Sequence, residues 1–434
     1  MSTIRLYYGR DSGEMIRKIE EALVDDNRPV VSAIEVRETV LEDDVIEAIV
    51  KLISSGSVES IQLDDCGAYL NKSAVQMARA LGACKHVRLS EPTFLTKFFL
   101  ECFLVSATKL QSLRIQDRLL VEQVEALSNG LRSNNTLHTL DLSRSRIDDF
   151  SVLAEGLRGS CVKGIKLRSI GLRDTHVTTM MTSLESCPAL ESLDLSFNHI
   201  RNLTTLGKFL RCADCNLREL SIGYQNVWQS PNIDIGELAE ALKVNKTLIT
   251  LKLPRNKLID SDAIIISMAL MENSTLENLD VRENNFSDIG IIHLAKTARD
   301  NSKGLRKIYT SNNPFGKSGS LALLEAAATN FDLIHIDTNC KDDDRINKQI
   351  RYHIALNRGG RKLLLENPPL AIWPLAMERS QIHLEEYYAN NSNNNNIIDD
   401  DDDDMDFETS SCDINMRSDV LYYLLKENPS TFFF

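Results

Sequence analysis

The sequence has 434 residues, of which 43% are apolar and 26% are charged, so it is long enough for several ordinary domains or one extended repeat array. Its formal net charge is −13 at pH 7. Because affinity for nucleic acid comes largely from lysine and arginine displacing counterions, this balance excludes nucleic acid as the expected partner and favours a basic or mixed-charge protein surface.

The nine cysteines are odd in number and widely spaced, which is not the pattern of a disulfide framework. We therefore expect reduced thiols in a cytosolic or nuclear protein. The one close pair, Cys212 and Cys215, has no second pair or histidine cluster beside it, so it predicts no metal site.

The N-terminal residues 1–30 predict a helical cap. Asp11 to Glu14 has the pattern of a helix start, and apolar residues follow at helical spacing, which predicts a helix over 12–24. Charges at Arg5 and Arg10 interrupt the stretch in which a secretion signal would need an apolar core.

The body of the chain, residues 31–340, is built from a recurring pattern, LxxLxLxxN, best seen from Leu190 to Asn198. Successive copies are 25 to 31 residues apart, a spacing too regular for chance clustering of apolar residues. The first six copies and the eighth lack the final Asn. The twelve copies begin at Val31, Val58, Cys84, Leu110, Leu137, Val162, Leu190, Leu217, Leu248, Leu276, Leu305 and Phe331.

Each copy predicts a strand, a turn, a helix and a second turn. Apolar residues at the fourth and sixth places alternate with polar ones, so the strand buries one face. An Asn at the ninth place suits the turn that follows, because its side chain bonds neighbouring backbone groups. Apolar segments between copies, such as 261–270 and 288–295, predict helices, and the apolar segment 94–105 is too short for a membrane span and predicts a buried helix.

Residues 341–434 predict a helical C-terminal cap, because the repeat pattern ends there. A helix is expected over 344–356, and another over the apolar residues 420–425. Between them, residues 390–413 are rich in Asn and Asp and have too little apolar surface to fold, which predicts a disordered acidic loop.

The repeats resemble leucine-rich repeats of the ribonuclease-inhibitor type. The resemblance rests on the period, on the run from Asn284 to Ala295, and on Asn-x-Thr-Leu sequences that end at Leu137, Leu248 and Leu276. It implies an α/β solenoid in the form of a horseshoe, with parallel strands on the concave face and helices on the convex face. The C-terminal stretches 356–361, 373–375 and 419–425 resemble a block in uncharacterised leucine-rich-repeat proteins of diatoms, which implies no biochemistry.

Catalytic patterns are not found. Residues 312–318 end like a phosphate-binding loop, but Ser311 stands where the first glycine of that loop is required. The eight histidines are dispersed and do not have the spacing of zinc ligands. The sequence also lacks the GxSxG pattern of a nucleophile elbow. We expect no catalytic residue, no cofactor and no bound metal.

The eighth place of each copy lies at the rim of the predicted concave face. Reading down this column, four acids come first, at Glu38, Asp65, Glu91 and Asp117. Like charges on neighbouring strands, about 4.8 Å apart, destabilise a sheet. Either this column serves a basic partner, with Arg88 and Arg114 at the fifth place neutralising part of it, or it is an ordinary solvated rim.

Further along the same column, Phe197 and Tyr224 are expected to be adjacent and to be followed by Arg255. The 31-residue copy also carries Trp228 in its extra turn residues. Aromatic residues with arginine are typical of binding hot spots. The alternative is that Trp228 covers the longer loop and Phe197 folds into the turn, in which case the aromatic side chains would be deeply buried.

We therefore expect a non-enzymatic interaction module that binds an unidentified partner protein on its concave face and does not act at a membrane. The alternative is a regulator of a small GTPase. Repeats of this type followed by an acidic stretch resemble the Ran GTPase-activating proteins, although no functional residue matches one of their motifs. The expected partner is accordingly a basic protein or a small GTPase.

Overall fold

The computed structural model describes residues 2–7, 12–24, 31–68, 72–225, 233–300, 304–337 and 344–362. The chain divides into two compact units, residues 1–256 and 257–434. In each unit a parallel strand is followed by a helix in successive repeats, which confirms the α/β repeat fold predicted from the sequence.

In the described part of the first unit, ten strands lie in chain order, each parallel to its neighbours. The apolar fourth and sixth places, such as Leu193 and Leu195, are buried between the strands and the helices. The strands are Ser2–Tyr7, Val31–Arg37, Ser60–Asp64, His86–Ser90, Ser112–Gln116, Thr139–Asp141, Gly164–Lys166, Ser192–Asp194, Glu219–Ser221 and Thr250–Lys252.

The helices of the first unit pack side by side, each against the next helix within the unit. They are α1 (Ser12–Val24), α2 (Asp43–Ser54), α3 (Lys72–Leu81), α4 (Lys97–Ser106), α5 (Val121–Ser133), α6 (Phe150–Leu157), α7 (Asp174–Leu184), α8 (Thr204–Leu210) and α9 (Gly236–Val244). Short parallel pairs in the turns join Val40–Leu41 to Gly67–Ala68 and Arg118–Leu119 to Arg146–Ile147. The other face of the sheet, which we call the strand face, carries the side chains that alternate with the buried ones.

The described part of the second unit repeats this arrangement. Its parallel strands are Asn278–Asp280, Lys307–Tyr309 and His335–Asp337. Its helices are α10 (Asp260–Glu272), α11 (Asp288–Asp300), α12 (Lys317–Thr329) and α13 (Asp344–Arg358).

The N-terminal segment differs from the expected helical cap. Its helix over 12–24 is present, but a strand precedes it, in which Ile4 pairs with Ile34 and Leu6 with Val36. This register places Ile4 and Leu6 at the fourth and sixth places, so the segment is a further repeat unit.

The last copy begins at Leu333 and not at Phe331. Ile336 pairs with Ile308, which occupies the fourth place of its own copy, so the start moves by two residues. The alternation of apolar residues is the same in both registers, and only the partner strand selects one. Leu333 is fully buried, whereas the ring of Phe331 is half-buried and lies 4.5 Å from the guanidinium carbon of Arg361.

Two other expectations on helices have mixed outcomes. The C-terminal helix predicted over 344–356 is α13. Within α4, Phe99 and Phe103 are buried as expected, but Phe98 is 61% exposed and Val105 is 81% exposed, so the segment is not a fully buried helix.

No helix in the described part of the chain is long and apolar enough to cross a membrane. Trp228 and residues 363–434, including the predicted acidic loop, lie outside the described residues.

Candidate protein-binding face

In several copies, one buried polar side chain at the ninth place holds the turn that follows the strand. The Asn198 amide nitrogen donates to the carbonyls of Leu167 and Leu195, both at 2.8 Å. Its amide oxygen accepts from the backbone amides of Ile170, at 3.1 Å, and Leu172, at 3.0 Å. A single side chain therefore links the turns of two consecutive repeats.

Three of the copies without Asn use another buried side chain for the same purpose. Gln225 donates to the Leu195 carbonyl at 2.9 Å and accepts from the Ile200 amide at 3.0 Å. Ser145 donates to the Ile115 carbonyl at 2.8 Å, and the Cys66 thiol lies 3.4 Å from the carbonyl of Val36. Burial raises the pKa of Cys66 to about 12, which keeps the thiol protonated as a donor.

The eighth place has a left-handed backbone, which the sequence did not reveal because only Asp65, Asp117 and Asn312 in this column are of types that readily adopt this conformation. Ten of the eleven residues in this column have φ between +47° and +64°. In the first unit their amides donate to the seventh-place carbonyl of the next copy, as Phe197 does to Gly223 at 3.0 Å and Tyr224 to Pro254 at 2.8 Å. Asp117 is the exception, and its amide donates to the Ser145 hydroxyl at 3.3 Å.

Four side chains at this edge form what we call the Arg-aromatic ladder: Arg168, Phe197, Tyr224 and Arg255. The rings of Phe197 and Tyr224 stack with centroids 4.4 Å apart and planes at 12°. The Arg168 guanidinium lies 5.1 Å from the Phe197 centroid, and that of Arg255 lies 5.5 Å from the Tyr224 centroid. Phe197 is 36% exposed and Tyr224 is half-buried, so Phe197 does not fold into the turn core.

Phe197 and Tyr224 adopt an unfavourable backbone conformation. A left-handed conformation costs roughly 1–2 kcal/mol for a residue with a bulky side chain. Stacking of an aromatic pair stabilises the fold by about 0.5–1.5 kcal/mol in addition to the effect of burial. Asn312 occupies the equivalent place in the second unit, where it adopts the same conformation at a lower cost. Residues of many types adopt this conformation along the column, so the fold does not require aromatic side chains at Phe197 and Tyr224.

Most of the acidic column is exposed and, among the described residues, is not paired with cations. Glu38, Asp65 and Glu91 are exposed, and in the described part of the chain no ion pair joins them to a cation. Asp117 is half-buried, and burial, together with the charge of Glu91, raises its pKa.

Arg88 and Arg114 do not neutralise this column, contrary to the sequence expectation. The Arg88 Nε lies 3.8 Å from the Asp64 Oδ1, and the Arg114 Nε lies 3.6 Å from the Asp141 Oδ2. Both acids belong to inner columns of the strand face. The inner columns thus balance one another, and the eighth-place carboxylates remain available to a partner.

The other sequence features have structural roles. The amides at the start of α12, which a phosphate would require, donate instead to the Asp288 Oδ1, from Gly316 at 2.9 Å and Gly319 at 2.7 Å. Burial raises the pKa of both Cys212 and Cys215. Among the described residues no group of three or more His, Cys, Asp or Glu side chains is placed to hold a metal ion.

Comparisons with known proteins agree with the repeat architecture. A family model described as Leucine Rich repeat matches residues 133–151, 186–203 and 272–295. The rat protein named Capping protein, Arp2/3 and myosin-I linker protein 3 is 27% identical over 235 residues, which is 51% of this chain and 16% of that protein. Protein PAC2 of Saccharomyces cerevisiae is 27% identical over 218 residues, 50% of this chain and 37% of that protein.

This chain thus spans only a minor part of the length of either relative. Among solved structures, an internalin from Listeria monocytogenes aligns with 78% of this chain and 92% of its own, at 15% identity and a TM-score of 0.43.

Proposed function

We propose that this leucine-rich repeat protein is a non-enzymatic interaction module that binds a partner protein on its strand face, centred on the Arg-aromatic ladder. The observation that carries the proposal is the pair of stacked rings held in a strained backbone, with Phe197 partly exposed. The same left-handed backbone recurs at ten of the eleven eighth places, so this site is distinguished by the two large rings that occupy it, one of which is partly exposed.

The chemistry of the ladder suits protein recognition. Aromatic rings contribute a large contact area at a low cost in conformational entropy, because they have only two side-chain torsions. The stacking and the flanking guanidinium groups hold Phe197 and Tyr224 in place before a partner arrives. Arg255 is exposed beside them, as an arginine at the edge of a hot spot would be.

The acidic column extends this site toward the N-terminal repeats. Glu38, Asp65, Glu91 and Asp117 would favour a basic partner surface, since exposed charges govern the encounter rate and the orientation of a complex. Trp228 stays a predicted contact of the same face. Repeat proteins with a stacked sheet commonly use that extended face for binding, and the name of the rat relative describes a linker among other proteins.

We also propose that the repeats are of the ribonuclease-inhibitor type. The support is the alternation of three-residue strands with helices of 13 residues at α10, α11 and α12. The likeness of the C-terminal block to diatom proteins stays a prediction, because most of that block lies outside the described residues. A cytosolic or nuclear location is proposed from the dispersed cysteines, and the described ones are free thiols.

The decisive experiment compares affinity capture and mass spectrometry for the wild type and a Phe197→Ala/Tyr224→Ala variant. The matched control is Phe98→Ala/Val105→Ala, which removes exposed apolar side chains from the helix side at α4. We expect a reproducible partner that the first variant loses and the control retains. Thermal unfolding of all three proteins excludes loss of fold as the cause. Partners that bind both variants equally would show that the strand face is not the binding site.

Regulation of a small GTPase is the second prediction, and it rests on the resemblance of the repeats followed by an acidic stretch to Ran GTPase-activating proteins. A single-turnover hydrolysis assay with Ran loaded with GTP tests it directly. Acceleration by the wild type that the Phe197→Ala/Tyr224→Ala variant lacks would place this activity on the strand face. If the wild type does not accelerate GTP hydrolysis, the predicted regulation of a small GTPase is wrong, and the binding proposal is unaffected.

A further inference from the structure

The eighth-place residues of the first unit form one continuous row, which we call the rim column: Glu38, Asp65, Glu91, Asp117, Arg144, Ser169, Phe197, Tyr224 and Arg255. Each copy contributes one residue to it. Eight of the nine have the same left-handed backbone. The backbone amide of each of those from Glu38 to Tyr224 donates to the seventh-place carbonyl of the following copy, at 2.7 to 3.2 Å. The rim column is therefore a regularly spaced row of side chains on a rigid base.

The charges along the rim column are sorted and not mixed. Four acids occupy its first four positions, Arg144 and Ser169 follow, and the two rings and Arg255 complete it. If stability alone decided the order, opposite charges would be favoured on adjacent strands, because like charges there repel. One end of the column is thus negative, and the other end is aromatic and positive.

Several charges of the inner columns pair among themselves and therefore do not cancel this polarity. Near the acidic end, Arg5 lies 3.1 Å from Glu35, and Arg37 lies 3.5 Å from Asp64. Near the aromatic end, Lys252 lies 2.9 Å from Glu219. What a partner meets along the rim is consequently the order of charges in the rim column itself.

We propose, building on the proposed function, that the ligand of this face is a single linear segment of the partner in which the charges are in blocks. A lysine- and arginine-rich block lies against the four acids, an apolar side chain contacts the edges of Phe197 and Tyr224, and an acidic residue pairs with Arg255. Strands are spaced about 4.8 Å apart, so the column is roughly 40 Å long. An extended chain of at least about a dozen residues is needed to reach from end to end.

Two synthetic peptides of about 20 residues test the proposal, one with a basic block, an apolar centre and an acidic block, and one of identical composition with alternating charges. Each carries a fluorophore for anisotropy titration against the full chain. The wild type should bind the block peptide roughly tenfold more tightly, since several exposed ion pairs act together. Equal affinities for the two peptides would overturn the proposal.

Charge reversal locates the basic block. Glu38→Lys/Asp65→Lys/Glu91→Lys should abolish the preference for the block peptide. The matched control, Glu20→Lys/Glu47→Lys/Glu122→Lys, changes the net charge equally at exposed positions on α1, α2 and α5, and it should keep the preference. If the control loses the preference as fully as the rim variant, the effect is one of net charge and the proposal is wrong.

A photo-crosslinker at either end of the block peptide tests the order along the column. The basic end should crosslink to the copies that contain Glu38, Asp65 and Glu91, and the acidic end to the copies around Tyr224 and Arg255. Crosslinks of both ends to the same copies would overturn the proposed order. A captured partner that depends on Phe197 and Tyr224, combined with peptides that show no preference, would refute this inference and leave the proposed function standing.

Discussion

Replacing Phe197 by Asn separates a functional ring from a structural one. The change relieves a left-handed strain of roughly 1–2 kcal/mol, because Asn tolerates this conformation well. It also removes stacking on Tyr224, worth about 0.5–1.5 kcal/mol, and an exposed contact with Arg168, worth about 0.5–1 kcal/mol. These three contributions nearly cancel, so the free energy of unfolding should fall by about 1–2 kcal/mol, because the partly buried apolar surface of the ring is lost.

The comparison residue for Phe197→Asn is Leu195, two positions earlier in the same copy and fully buried. Leu195→Ala should cost about 2–5 kcal/mol, because it leaves a cavity in the core. Urea unfolding followed by circular dichroism measures both variants against the wild type. Partner binding is then measured for Phe197→Asn, where we expect a large loss despite the intact fold.

One result would refute this reasoning. If Phe197→Asn destabilised the protein by more than about 2 kcal/mol, the ring would belong to the core of the turn, and its exposure would have no functional meaning. Unchanged stability together with unchanged partner binding would instead contradict the role of the ladder in binding.

Three further variants test how the repeats are held together. Asn198→Ala should lower the free energy of unfolding by about 3–5 kcal/mol, because it leaves two buried backbone amides without an acceptor. Hydrogen exchange at those amides should accelerate, and a loss of stability below about 1 kcal/mol would contradict this role. Asp288→Ala should destabilise the start of α12 by about 1 kcal/mol, seen as faster exchange at Gly316 and Gly319, and unchanged exchange would show that water replaces the carboxylate. Burial, together with the charge of Arg358, lowers the pKa of His335 to about 4. The neutral imidazole therefore stabilises the fold fully above the unfolded pKa of about 6.5, and this stabilisation is lost as the pH falls toward 4. His335→Gln should flatten that part of the stability profile in unfolding measured across pH, and an equal decline in the variant would contradict the assignment.

The sequence predicted the repeat unit because the information needed for it is local. Leu193 and Leu195 alternate with polar residues within one strand, and the same alternation recurs at a regular interval. Burial of every second side chain follows from that pattern alone. The helices over 12–24 and from residue 344 were predicted for the same reason, because capping and apolar spacing are read within a few residues.

The site was predicted only in part. The adjacency of Phe197 and Tyr224 in one column followed from the period, since equivalent places in successive copies lie on neighbouring strands. The partners of Arg88 and Arg114 did not follow, because each long side chain reaches carboxylates in more than one column. Which carboxylate it approaches depends on side-chain packing between strands.

Three features were decided by the tertiary structure alone. The start of the last copy at Leu333 was set by pairing with a neighbouring strand, and the N-terminal strand exists because the next strand offers it partners for Ile4 and Leu6. The left-handed eighth place arises because its amide must reach a carbonyl in the following copy. Periodicity determines which side chains are buried, but hydrogen bonds between residues roughly 27 positions apart in the sequence determine how the exposed ones are presented to a partner.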